Sequence, residues 1–289
     1  MKKTVSSTLR SLCLIINISL GLSSCIEVPL YDTEHPDYGI ITTLTTDWSN
    51  RTDGVSIPAT YQVRIGEDYN ELLRGETNSI DYPFSSGVYR IRAYNPADRI
   101  VVGDTEASVV ATDTDGFVES QPGWVFTASK EVSISNDRDE SITIVMQQQV
   151  RQLDLVFTFV SPRANKLTGI DAVLEGVAGS LDIDHGAIIG TPVSVKPEFV
   201  KQSEGIYRAT MRLLGVTGDT QTLWVRLSFG DLWEAPIVTD LSLRLADFNA
   251  DKKTPLLLST QLVEVQTELE FMVSFGEWKV GEEIEVVVR

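Results

Sequence analysis

The sequence predicts an all-β fold of two tandem β-sandwich domains. Three observations lead there. Apolar residues recur at every second position through most of the chain, the alternating stretches are short and separated by Gly, Asn and Asp, and no strands alternate with long helical patterns. A period of two marks half-buried strands in antiparallel sheets. Short strands at such spacing, with turn residues between them, suggest sandwiches. A parallel α/β fold would need strands alternating with long helices.

The elements follow in chain order. Lys2, Lys3 and Arg10 form a positive start, and Leu12 to Leu20 is apolar but for Asn17 and Ser19. A bilayer span needs about 20 mostly apolar residues, so this run is too short to cross and reads as a secretory signal. It ends in Leu22-Ser23-Ser24-Cys25, which resembles the bacterial lipobox. Residues 1–24 are therefore expected to be a lipoprotein signal peptide, with Cys25 the lipidated first residue of the mature chain. An ordinary cleaved signal with an incidental Cys is the competing account. The other cysteine, Cys13, falls within the signal, so the mature chain would hold no disulfide and would depend on hydrophobic cores. Several acyl chains anchor durably where a single one binds only marginally.

Residues 25–37 read as a tether, with Pro29, Pro36, several acids and no periodicity. Strands then dominate. Tyr61, Val63 and Ile65 alternate with polar residues, as do Tyr89, Ile91 and Ala93, and Ile142, Ile144 and Met146. A break is expected at Gln147-Gln148-Gln149, giving an N-terminal sandwich over 38–148 and a C-terminal one over 149–289. The second half repeats the pattern at Leu153–Phe159, Tyr207–Leu213, Leu223–Phe229, Leu269–Phe275 and Ile284–Val288. One helix is expected, from Asp240 to Phe248 with Thr239 as its cap and Leu241, Leu245 and Phe248 on one face. Leu243 fits a strand equally well, since short apolar runs are ambiguous.

Charge narrows the partners. The formal net charge is −17, and without the signal's three cations 21 Lys and Arg face 41 Asp and Glu. Such a surface repels nucleic acid and anionic lipid, so membrane contact is expected through lipid alone.

Motifs for catalysis are missing from the sequence. His35 lies in the tether, and His185 sits in Asp182-Ile183-Asp184-His185-Gly186, which reads as a turn with no G-x-S-x-G elbow elsewhere. No zinc motif, phosphate loop or dinucleotide fingerprint occurs. Asp113-Thr114-Asp115-Gly116 and Asp247-Phe248-Asn249-Ala250-Asp251 echo calcium loops. Ala111 and Pro122 spoil the first, Lys252 and Leu258 the second, and turn residues are the better account of both. No cofactor, no metal and no enzyme activity are expected. Among five Trp residues, Trp224 lies opposite Leu223 and Val225 on its strand, and Trp233 falls at a hairpin tip. Trp233 is the candidate glycan contact; packing across its loop is the competing account.

Taken together, the lipobox Cys, the all-β two-part body and the missing catalytic motifs resemble the fimbrillin superfamily of Bacteroidales, in particular FimB/Mfa-type fimbrial anchor and accessory lipoproteins. The matching phrases are Gly87-Val88-Tyr89-Arg90-Ile91-Arg92-Ala93-Tyr94-Asn95, Leu174-Glu175-Gly176-Val177-Ala178-Gly179-Ser180-Leu181 and Trp278-Lys279-Val280-Gly281. The resemblance implies transthyretin-like sandwiches and assembly with other fimbrial subunits by donor-strand exchange. In stalk subunits, proteolysis after an Arg removes the first strand and a neighbour's C-terminal strand fills the groove. Anchor subunits keep that strand. Here the first strand would be Tyr38 to Asp47, with Arg51 in the loop behind it. The candidate donor strand is Glu282 to Arg289, with Ile284, Val286 and Val288 on one face; an ordinary last strand is the other account of it. The expected function is a structural or adhesive lipoprotein of a fimbrium, anchored in the outer membrane by lipid at the cell surface. The alternative is a surface glycan-binding lipoprotein of a polysaccharide-uptake system.

Overall fold

A computed structural model describes residues 39–280 except 113, 115, 136–139, 161–163, 231–233, 268–269 and 276–278. The first half supplies β1 (Gly39–Asp47), β2 (Thr60–Ile65), β3 (Tyr69–Arg74), β4 (Thr77–Phe84), β5 (Gly87–Tyr94), β6 (Ile100–Val102), β7 (Glu106–Val109), β8 (Phe126–Ile134), β9 (Glu140–Val145) and β10 (Gln147–Gln148). The second half supplies β11 (Arg151–Val160), β12 (Gly169–Asp182), β13 (Ile188–Val195), β14 (Val200–Ser203), β15 (Ile206–Leu213), β16 (Thr222–Ser228) and β17 (Glu234–Asp240). A helical turn, α1 (Ser242–Leu245), leads to β18 (Leu256–Thr267), β19 (Glu270–Phe275) and β20 (Lys279–Val280). The fold is all-β, as the alternation predicts.

Two hydrophobic clusters form, each between two sheets. The first lies between a three-stranded sheet, β4-β1-β9, and a five-stranded sheet, β10-β8-β5-β2-β3. The inward residues of β2 and β9 are those that the period of two selects, with Tyr61, Val63, Ile65 and Ile144 almost fully buried, while in β1 a register irregularity between Ile41 and Leu44 lets both point inward. Trp48 closes one end, its ring edge-on to Tyr61 and Phe126 at centroid distances of 6.0 and 5.4 Å.

The second cluster lies between the sheet β14-β15-β11-β18-β19, with β20 beside β18, and the sheet β17-β16-β12-β7-β6, with β13 beside β12. Leu153, Leu155 and Phe157 of β11 point in, together with Ala209 and Met211 of β15 and Leu223, Val225 and Leu227 of β16. At about 25 cal/mol per Å² of apolar surface buried, such faces supply the main drive for folding.

Three sequence expectations need correction. The sheets are mixed, because β1 pairs with β9 and β11 with β18 in parallel. Alternation reveals which face is buried, and parallel and antiparallel neighbours bury the same face. The break expected at residue 148 does not divide the cores. The hairpin β6–β7, from the first half, joins β12 of the second sheet pair through Ser108↔Ser180 and Leu181↔Ala107. Ala107, Val109, Val118 and Val125 belong to the second cluster. The side-chain pattern of such a short hairpin does not say which sheet it joins.

The helix is also shorter than expected. β17 runs to Asp240, so Thr239 is a strand residue and caps nothing. Leu241 takes the N-cap position of α1 with no side-chain cap bond. The Asp240 carboxylate accepts the Ser242 amide at 2.8 Å, a local bond of the kind that competes with helix formation. Leu241, Leu245 and Phe248 are nevertheless all buried, while Leu243 is 93% exposed.

Candidate functional site

Cys25, His35, Trp233, Ile284, Val286 and Val288 lie outside the described residues. Those that are described resolve as follows. His185 is exposed, and its Nδ1 lies 2.7 Å from Asp182 Oδ2 across a tight turn. That bond draws the Asp182 carboxyl below its ordinary value. The calcium-like stretch near residue 250 is spent on internal bonds. The Asn249 side chain accepts the Val216 amide and donates to its carbonyl, and Asp251 accepts the amides of Lys253 and Thr254. Among the described residues no group of three His, Cys, Asp or Glu is placed to hold a metal ion.

Two surface features organise what remains. The first joins the two cores. Asp184, from the turn after β12, reaches the outer face of the five-stranded sheet. Its carboxylate accepts Arg92 Nε at 2.7 Å and Arg92 Nη2 at 2.6 Å, Ser129 Oγ at 2.8 Å and Arg90 Nη1 at 3.3 Å. The Asp184 side chain is only 8% exposed. The Arg92 hydrogen bond holds its carboxyl far below the usual carboxylate range, against the opposing effect of burial. Nearby, Gln148 Nε2 donates to the Val150 and Lys252 carbonyls, and Thr52 Oγ1 donates to the Lys253 carbonyl. Trp124 packs against both clusters.

The second feature is a groove of about 670 Å³ on the outer face of the β12 sheet. Its floor follows from strand register. Val173, Trp224 and Val238 form one cross-strand row, and Asp171, Arg226 and Pro236 the next. Their chain neighbours Ala172, Val225 and Ile237 point into the core, so these rows must point out. Trp224 is 46% exposed, and its Nε1–H donates to Glu175 Oε2 at 2.9 Å. Arg226 Nη2 lies 3.2 Å from Asp171 Oδ2. The segment Lys196–Phe199 walls the groove on one side. Phe199 is fixed there by stacking on Phe157, with centroids 4.5 Å apart. The alternation of β16 predicts an outward Trp224, but the wall and the cross-strand row come only with the fold.

Paired sheets about each core define a β-sandwich protein. The chain belongs to the family of fimbrillin-A associated anchor proteins Mfa1 and Mfa2, whose model matches residues 68–260, a span that draws on both cores. The family is one of fimbrial anchors, which carries a structural role and a location in the cell envelope. No curated protein matches the chain in sequence. Among solved structures it is similar to the fimbrial anchor protein Mfa2 of Porphyromonas gingivalis, at 15% identity and TM-score 0.56, over 84% of this chain and 97% of that one. A candidate adhesin of Bacteroides ovatus matches at 12% identity and TM-score 0.60, over 85% and 96%. A candidate polysaccharide-binding protein of Bacteroides thetaiotaomicron matches at 12% identity and TM-score 0.56, over 83% and 98%. At such identities the likeness establishes a common fold.

Proposed function

We propose that this protein is an anchor or accessory subunit of a fimbrium, held at the outer membrane by lipid on Cys25 and joined to other subunits through β-strand contacts. The family match over residues 68–260 carries the reading. The surroundings of β1 support the anchor role within it. β1 lies between β4 and β9, and its Ile41 and Leu44 are fully buried. A subunit that keeps this strand has its first groove filled and contacts neighbours by giving a strand, for which Ile284, Val286 and Val288 supply the alternating face.

The reading is tested by probing sheared surface filaments on an unboiled gel with antibody to this chain. Fimbrial assembly gives a high-mass band or ladder that collapses on boiling, and a lone monomer band left with the cells would count against it. In the same strain background, Cys25→Ala should release the protein from the membrane fraction. Continued tight sedimentation of that variant would rule out the lipid anchor while leaving the assembly reading intact.

A further inference from the structure

We infer that the groove over Trp224 is a binding site for a neutral polysaccharide chain. The indole is the reason to look. A tryptophan side chain is worth burying, yet this one stands 46% exposed on a strand whose opposite face is packed. It is also held still: Glu175 accepts its Nε1–H, which keeps the ring in place before any ligand arrives. Val173 and Val238 flank it on the neighbouring strands and extend an apolar strip across the sheet.

Next to that strip the surface turns polar. Asp171 and Arg226 pair on the adjacent row, and Lys196 and Glu198 stand on the wall. A ligand suited to this groove has an apolar face and a hydroxylated edge, as a pyranose ring has. Its C–H face would lie on the indole, with hydroxyls donating to Asp171 and Glu198 and accepting from Arg226. The groove's volume, about 670 Å³, falls in the usual range of ligand sites, about 300–1,000 Å³.

Charge selects among such ligands. Asp171, Glu175 and Glu198 outnumber Arg226 and Lys196 around the groove, and the whole chain carries −17. Nucleic acids and acidic polysaccharides are repelled by both. A neutral glycan pays no such penalty. This inference stands apart from the anchor reading, since it rests on the groove over Trp224 and on neither β1 nor the lipid anchor.

The test is affinity electrophoresis of the full mature protein through gels holding one neutral polymer each: β-1,3-glucan, α-mannan, xylan or galactan. At least one should retard the wild type, and Trp224→Ala should weaken that retardation about tenfold or more, with Trp224→Phe between them. Trp224 is exposed, so its loss should leave the melting curve in place. Should the curve move, Asp171→Asn on the groove's rim carries the same expectation at unchanged stability. No retardation by any of the four polymers overturns the proposal, as does equal retardation of wild type and Trp224→Ala. Selective binding to a heparin gel that Arg226→Ala abolishes would overturn the neutral class. Loss of the high-mass filament band in Trp224→Ala would show instead that this face docks a subunit.

Discussion

At the scale of single residues, Asp184 makes the most consequential contact. Four donor atoms from Arg92, Arg90 and Ser129 converge on one nearly buried carboxylate. Hydrogen bonds to a charged group are worth about 1.5–3 kcal/mol each, and losing one partner leaves the others unsatisfied. Asp184→Ala should therefore cost about 2–3 kcal/mol in denaturant melts at pH 7. The pH dependence has a definite sign. The folded carboxyl is depressed below its unfolded value of about 3.9, so its contribution is complete above that value and is lost as pH falls beneath it. Wild type should lose more stability than Asp184→Asn between about pH 4 and pH 2, and parallel acid profiles would refute the assignment. Sequence shows Asp184 only as a turn residue, because its partner Arg92 lies 92 positions away. Trp224 is more legible, since Leu223 and Val225 inside require it outside. Its bond to Glu175 crosses strands and has no local signature.

At the scale of elements, the loop behind β1 carries a prediction about processing. Arg51 would be the cleavage point if the first strand were removed. Its side chain is committed: Nη1 donates to the Trp48 carbonyl at 2.9 Å and Nε to the Val55 carbonyl at 3.1 Å. The next residue is pinned too, with the Thr52 amide donating to Gln148 Oε1 at 2.8 Å. A protease that reads arginine needs a free side chain and a backbone free to extend, whereas here the Arg51 side chain and the Thr52 amide are both bonded. Limited trypsin digestion of the folded protein should leave the Arg51–Thr52 bond intact, and Gln148→Ala should hasten cutting there by releasing Thr52. A wild-type fragment beginning at Thr52 early in the digest would reverse this. The strand itself is expected only through the family resemblance, since its buried Ile41 and Leu44 do not alternate. Its parallel pairing with β9 is not readable in sequence, because burial patterns do not encode direction. The helix near residue 243 is misjudged for a related reason: an apolar face at Leu241, Leu245 and Phe248 serves one helical turn and its flanking loop as well as it serves a longer helix.

At the scale of the whole molecule, the decisive feature is the excursion from residue 96 to 125. It leaves the first core after β5, adds β6 and β7 to the edge of β12, and continues past β13, where the Val118 amide bonds the Ser194 carbonyl. It then runs beside β15, where the Arg212 amide bonds the Ser120 carbonyl, and returns to the first core at β8. The break expected at residue 148 assigns this segment to the first half, since adjacent segments usually pack together. The cores are thus joined both through the Gln147–Gln149 link and through this strap, so they are expected to unfold together. A fragment spanning 149–289 lacks Ala107, Val109, Val118 and Val125, which leaves a strip of its cluster uncovered. Removing several buried aliphatic side chains at once costs well over about 5 kcal/mol, comparable to the stability of a typical domain. That fragment expressed alone should bind a hydrophobic dye and melt without a sharp transition, while the mature chain melts in a single step. A fragment that melts cooperatively near the temperature of the whole protein would mean that the strap is an ornament and that residue 148 divides two independent domains after all.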